Sequence, residues 1–336
     1  MTATVETNTN PQTTVANSIG KLVALCAFAA MMSTFGPFAL VAPAAIALAY
    51  IHFGVVKVLI TSVLMAAAIY TLGGQNMSSL GSVGTFIYSC LIGLIINQFT
   101  MKKVHPVKGI LFGGSFAYLA LVLVVGVSLY LNDTSIEELL TTQINVFVDQ
   151  LKQTSEYQQI ISAGGDQARE LKDLVTSPNK IVEQFLNWIP SVVFIGIFFS
   201  LWASFYFVLR NSLAWRTKRE YPFGLLHLTF FKLPFGLVYL VIVGLIMALI
   251  GNSIDGYDFS VIGFNILYSL GALFFFQGFG VVYDFLTVKG YRGLFKSLLI
   301  TIAVVFMWRF VVLIGLLDLW INFRKFYFKK IEGDNK

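Results

Sequence analysis

Runs of apolar residues recur along this chain at lengths that a bilayer explains and a water-soluble core does not. Residues 109–131 contain no charged side chain. Several other runs approach or exceed the roughly 20 residues a helix needs to cross a hydrocarbon core. Within hydrocarbon every backbone N–H and C=O must be paired internally, so spanning segments are helices or closed barrels. Barrel strands alternate apolar and polar residues over short segments, and runs such as 192–209 and 237–250 show no alternation. The chain is 57% hydrophobic and 12% charged, where a soluble domain is nearer a quarter charged. The reading is an all-α, polytopic integral membrane helical bundle of about 8–10 spans, with a polar helical hairpin insert outside the membrane.

Taken in order, residues 1–17 form a polar tail without Lys or Arg. It is expected to be disordered and lacks the basic segment of a secretory signal. Runs at 22–35, 38–50, 55–72, 83–99 and 109–131 make a first membrane bundle, 18–131. The segment 132–187 holds nine acidic and four basic residues. Ile136, Leu140, Ile144, Phe147 and Leu151 recur at helical spacing in its first part, and Leu171, Leu174, Val175, Ile181, Val182 and Phe185 do so in its second. Gly164 and Gly165 mark a turn between them, which predicts an extracytoplasmic helical hairpin. A second bundle, 188–325, has runs at 189–209, 235–251, 261–285 and 295–325, and a basic cytoplasmic tail, 326–336, follows. Residues 223–231 are apolar but too short to span and read as an interfacial element.

Basic residues mark alternate loops. Lys102, Lys103 and Lys108, then Arg210, Arg216, Lys218 and Arg219, then Lys289, Arg292 and Lys296 fall in three of them, while 71–82 and 252–260 carry none. Positive-inside sorting puts the three basic loops and the N-terminus in the cytoplasm. The stretch 295–325 departs from this pattern. As one helix it would be ~46 Å long, against a core of ~30 Å, and it would carry the basic tail across. A break near Trp308 and Arg309 that returns the chain is the expected form.

Several chemistries are missing. The net charge of +6 comes from span ends and not from a basic stripe, so no nucleic-acid partner is expected. There is no GxxxxGK[ST] loop, HExxH pair or GxSxG elbow. His52, His105 and His227 lie in or beside loops. Cys26 and Cys90 lie in separate spans and read as small apolar side chains. Gly278 and Gly280 fall inside a span and read as helix-packing residues. The expectation is a protein that is not an enzyme, with no cofactor and no metal site.

Polar groups inside apolar runs are the functional candidates. Gln277, Arg309 and Asp318 are the solute-binding candidates, with Asn97 and Asn265 weaker ones. Arg309 and Asp318 are nine residues apart, so on one helix they face opposite sides. Pairing of Asp318 with a basic group such as Arg324 is the structural alternative. Cys26 with Ala30, and Ala29 with Ser33, place two rows of small residues on the first span. Such rows serve either internal packing or docking to another membrane subunit.

Gln277-Gly278, the basic loop after it, and the ending Ile314-Gly315-Leu316-Leu317-Asp318-Leu319-Trp320-Ile321-Asn322-Phe323-Arg324-Lys325 resemble the YybS-like family of polytopic bacterial membrane proteins, a family of unknown function. The run Phe230-Phe231-Lys232-Leu233-Pro234 resembles a second feature of that family. The resemblance marks Pro234, Gly278, Gly315, Trp320 and Arg324 as motif positions. The family is distantly similar to the substrate-binding S components of energy-coupling-factor transporters. That similarity implies a multi-pass protein of the bacterial cytoplasmic (inner) membrane that binds a small solute. It further implies a separate transmembrane coupling subunit with ATPases, docked through small residues such as Cys26, Ala29, Ala30 and Ser33. The other reading is a scaffold or assembly protein that binds other membrane proteins through its insert or its cytoplasmic loops.

Overall fold

The computed structural model describes residues 11–74, 77–215, 219–251 and 258–326. It is 86% helix, with no strand among the described residues. The chain is an all-α polytopic bundle, as its composition dictates.

Helix α1 (Pro11–Thr34) begins inside the segment expected to be a disordered tail; residues 1–10 of that tail lie outside the described residues. Pro37 then forces a short 3-10 turn, Gly36–Leu40, before α2 (Ala42–Phe53). Gly54, at φ +85°, takes a conformation that L side chains rarely adopt and starts α3 (Val55–Leu72) in a new direction. Helices α4 (Met77–Met101) and α5 (Pro106–Leu131) follow. The expected two-arm hairpin is instead three short helices, α6 (Ile136–Lys152), α7 (Ser155–Ala163) and α8 (Asp166–Thr176). The Ser135 hydroxyl caps α6 by accepting from the Glu138 N–H (3.0 Å), and the Thr154 hydroxyl caps α7 by accepting from Tyr157 (3.3 Å). Pro178 opens α9 (Pro178–Arg210), so residues 178–187 belong to a long apolar helix and not to the insert. The chain continues through α10 (Ser212–Trp215), α11 (Leu225–Thr229), α12 (Leu237–Ile250), α13 (Phe259–Val288), α14 (Gly293–Phe306) and α15 (Trp308–Ile321).

Among the described residues six segments can cross a membrane by length and composition, or seven if α14 and α15 count as one broken span. Residues Ser18–Thr34 and α12 are apolar but shorter; the 14 residues of α12 reach only ~21 Å. The last stretch breaks at Met307, close to the expected position. Its two arms bend by 95°, a right angle and not a hairpin return. Lys329, Lys330 and Lys336 of the basic tail lie outside the described residues, as do Arg216 and Lys218 of the second basic loop.

The chain forms two compact units. They interleave along the sequence, whereas the sequence reading divided it into consecutive bundles, because α5, α9 and α13 each contribute to both. Unit one comprises Met1–Ser115, Gly196–Lys232 and Phe276–Lys336. Its first core joins α1, α2, α3 and α4 around Cys26, Ala29, Ile46, Tyr50, Val58 and Phe86, all buried. Unit two comprises Phe116–Ile195 and Leu233–Phe275. There α12 and α13 approach closely, since a Cβ on Gly263 would overlap the backbone of Ala248.

Unit two also repairs a break in α9. Pro190 removes one N–H from that helix. The next N–H, on Ser191, donates to Oδ1 of Asn265 (2.9 Å), and Nδ2 of Asn265 donates to the Asn187 carbonyl (2.7 Å). One side-chain amide thus bridges the donor and acceptor that an uninterrupted helix joins directly. Trp188 and Tyr268 pack beside it with centroids 4.8 Å apart. Asn265, weighed above as a weak functional candidate, is a helix splice.

Candidate functional site

The site is built from the crossing of α13 and α15 in unit one. Gln277, Gly280 and Asp284 share one face of α13, at i, i+3 and i+7. Val311, Gly315 and Asp318, at i, i+4 and i+7, are the buried residues of α15. The helices touch at their backbones: a Cβ on Gly278 would overlap the Val311 carbonyl and come within 2.9 Å of the Gly315 nitrogen. This contact brings Gln277 against Asp318, where Nε2 donates to Oδ2 at 3.0 Å. Gln277 is 0% exposed and Asp318 4%.

The chain then folds back on the crossing. Asn322 adopts the left-handed conformation, φ +50°, which Asn tolerates better than most residues. The turn aims the Phe323 N–H at Oδ1 of Asp318 (2.9 Å), so both carboxylate oxygens accept a hydrogen bond. It also drives Arg324 inward. Arg324 Nε lies 3.0 Å from Asp284 Oδ2, with both side chains buried. Its N–H is not aligned for a hydrogen bond there, so the interaction is a charge contact. Nη1 and Nη2 donate to the carbonyls of Phe231 (3.3 Å) and Thr229 (3.1 Å), and the guanidinium stacks 4.5 Å from the Phe230 ring centroid. The guanidinium feels the Asp284 and Asp318 carboxylates together. An arginine stays charged in such a setting.

One expectation is refined here and another changes. Residues 223–231 keep Leu226 and Phe230 exposed but bury Leu228, Thr229 and Phe231, and Arg324 ties their backbone to the crossing. Arg309, expected with Gln277 and Asp318, is exposed beside Trp308, 5.4 Å from that ring. Nine residues of continuous helix put it on the face opposite Asp318. Arg324 does meet a carboxylate, but the direct partner is Asp284, which the sequence reading passed over. The available signal was its seven-residue spacing from Gln277 on one helix.

The remaining candidates lie elsewhere. Cys26, Ala29, Ala30 and Ser33 are all buried, with the Ser33 hydroxyl 3.1 Å from that of Ser89 on α4. These small-residue rows pack α1 inside unit one and present no face to a docking subunit. Trp320 and Pro234 are exposed. Asn97 is buried and accepts from Arg219 Nη1 (2.7 Å), which holds the segment after α10 to α4. His105 packs on Phe223 and His227, with centroids 4.9 and 6.0 Å away. Burial, then His227, then Lys108 hold its pKa below the ordinary histidine value.

Next to the crossing lies a cleft of about 710 Å³ bounded by α9, α11, α13 and α14. Its wall is an aromatic ladder. Trp202 stacks on Phe276 (5.5 Å) and Tyr206 (6.0 Å) and meets Phe279 edge-on (5.3 Å). Thr229, whose carbonyl holds Arg324, lines the same cleft. The cleft combines apolar bulk with a few polar groups, the usual make-up of a small-molecule site.

The long apolar helices and the buried polar crossing define a polytopic helical membrane protein. Residues 22–319 match the family described as "Predicted membrane protein (DUF2232)", and the chain belongs to that family. No curated protein and no solved structure matches the chain.

Proposed function

We propose that this chain is a non-catalytic, solute-binding subunit of the bacterial cytoplasmic membrane, served by a separate transmembrane coupling subunit with ATPases. The observation that carries the reading is the 710 Å³ cleft with its aromatic wall. The buried ionisable groups behind it are engaged with one another, and no carboxylate is among its lining residues. That arrangement suits a rigid receptor better than acid–base chemistry. Gln277 and Asp318 then position the wall and do not touch the solute. The dependence on separate ATPases rests on the resemblance to S components and on the missing phosphate-binding loop.

The orientation has support of its own. Lys102, Lys103 and Lys108, Arg210 and Arg219, and Lys289, Arg292 and Lys296 fall in alternate loops, while 71–82 and 252–260 carry no Lys or Arg, which favours the basic loops on the cytoplasmic side. The scaffold reading keeps one observation in its favour: Leu139, Val146 and Phe147 of α6 are exposed apolar residues on the insert. Gentle purification of the tagged chain from native membranes, with mass spectrometry of what accompanies it, separates the two. Stoichiometric coupling subunit and ATPases, with a solute that raises the melting temperature, is the expected result. Envelope proteins captured through residues 132–187, with no stabilising solute, would overturn it in favour of the scaffold.

A further inference from the structure

We infer that the cleft takes an anionic amphiphile, a carboxylate or phosphate head on an apolar body, and that Lys296 receives the head. The inference rests on the solute-binding reading above and adds the chemical class. Among the lining residues Lys296 is the one charged side chain, and none is acidic. Lys296 is half-buried, with Nζ 2.6 Å from the Thr287 hydroxyl and 3.3 Å from the Tyr283 ring centroid. No carboxylate lies within 4.0 Å of it among the described residues. Asp284 is near enough for Lys296 to act on it electrostatically, but the cation in contact with it is Arg324. An ammonium held by a hydroxyl and a ring face, in a partly dry site, is complementary to an incoming anion. Gly293, at the start of α14, lines the same end of the cleft, so the positive end of that helix adds to Lys296.

The rest of the lining selects the body. Trp202, Tyr206, Phe207, Leu226, Phe279 and Ile300 offer ring faces and aliphatic surface. Phe207 and Leu226 are exposed, so the cleft opens on the outside of unit one and a chain can enter sideways. Such walls favour an alkyl or aromatic body over a sugar or a polyamine, which would leave its hydrogen-bonding groups unmet.

The test reads the fluorescence component that disappears in Trp202→Phe. The full chain in phosphatidylcholine nanodiscs is titrated with three brominated quenchers: dibromostearate, its neutral methyl ester, and a dibromoalkyl trimethylammonium. We expect saturable quenching by the carboxylate at a concentration about fivefold below that for the ester, and little by the cation. Lys296→Gln should abolish the preference and Lys296→Arg should keep it. Brominated phosphatidylglycerol in the disc, compared with brominated phosphatidylcholine, tells a lipid head from a free acid. Equal quenching by all three charges would overturn the anionic assignment and leave the binding reading standing. No saturable quenching of the Trp202 component by any probe would overturn the cleft as a binding site altogether.

Discussion

Removing Arg324 should damage the protein more than removing its partner. Arg324→Ala leaves Asp284, 6% exposed, as a buried carboxylate with no cation in contact, only the more distant Lys296, and beside a second carboxylate on Asp318. It also strips a donor from the Thr229 and Phe231 carbonyls and the cation from Phe230. Breaking a buried ion pair from one side costs about 3–5 kcal/mol. The lost carbonyl contacts overlap that figure and do not add to it in full. Asp284→Asn leaves Arg324 its two carbonyls and its ring, and should cost about 1–2 kcal/mol. The double variant Asp284→Leu with Arg324→Leu exchanges the ions for packing and should fall below the Arg324→Ala loss. The assay is reversible unfolding in mild detergent followed by tryptophan fluorescence, with Arg324→Ala, Asp284→Asn and the double variant carrying those same two substitutions combined in a cycle, and the Leu pair compared with it separately. Equal and additive losses for Arg324→Ala and Asp284→Asn would show that the charges act independently and refute the reasoning.

Three further outcomes are expected. Asn265→Leu should destabilise by about 1–3 kcal/mol because it deprives Ser191 N–H and Asn187 C=O of their bridge; pairing it with Pro190→Ala should recover most of the loss, and unchanged unfolding of the single variant would contradict the splice. Gly278→Ala should cost about 1–3 kcal/mol, since its Cβ meets backbone at Val311 that no rotamer can move aside; a melting curve that does not shift would refute the close crossing. His105 has a folded pKa below its unfolded value of 6.5, so the unfolded chain takes the proton first. Its contribution is therefore complete above pH 6.5 and is lost as the pH falls toward the folded value. Melting temperatures between pH 7.5 and 5 should show an acid loss that is smaller in His105→Phe.

The class of the protein was legible because it depends on run length and charge, which one sequence displays directly. The break in the last stretch was legible for the same reason, since Phe295 to Lys325 is too long for one straight crossing. Phase arithmetic on one helix also held: Asp318 is buried and Arg309 exposed. Pairings between distant segments were hidden. Asp284 meets Arg324 only because Asn322 reverses the chain and Gly278 lets α15 approach, and both are tertiary facts. The same applies to Asn265, whose role appears only when Pro190 is placed beside it. The small rows on α1 carried no sign of which helix would cover them, because close packing inside a chain and docking between chains demand the same residues.

The central claim is that the cleft holds a solute in the living membrane. The most direct measurement places a photo-crosslinking benzoylphenylalanine at Tyr206, in the cleft, and separately at Phe310, 60% exposed on α15. Cells are irradiated and the purified chains weighed intact by mass spectrometry. The account predicts a discrete acidic adduct at position 206 that is missing from position 310. The same lipid adducts at both positions, or none at 206, would contradict it.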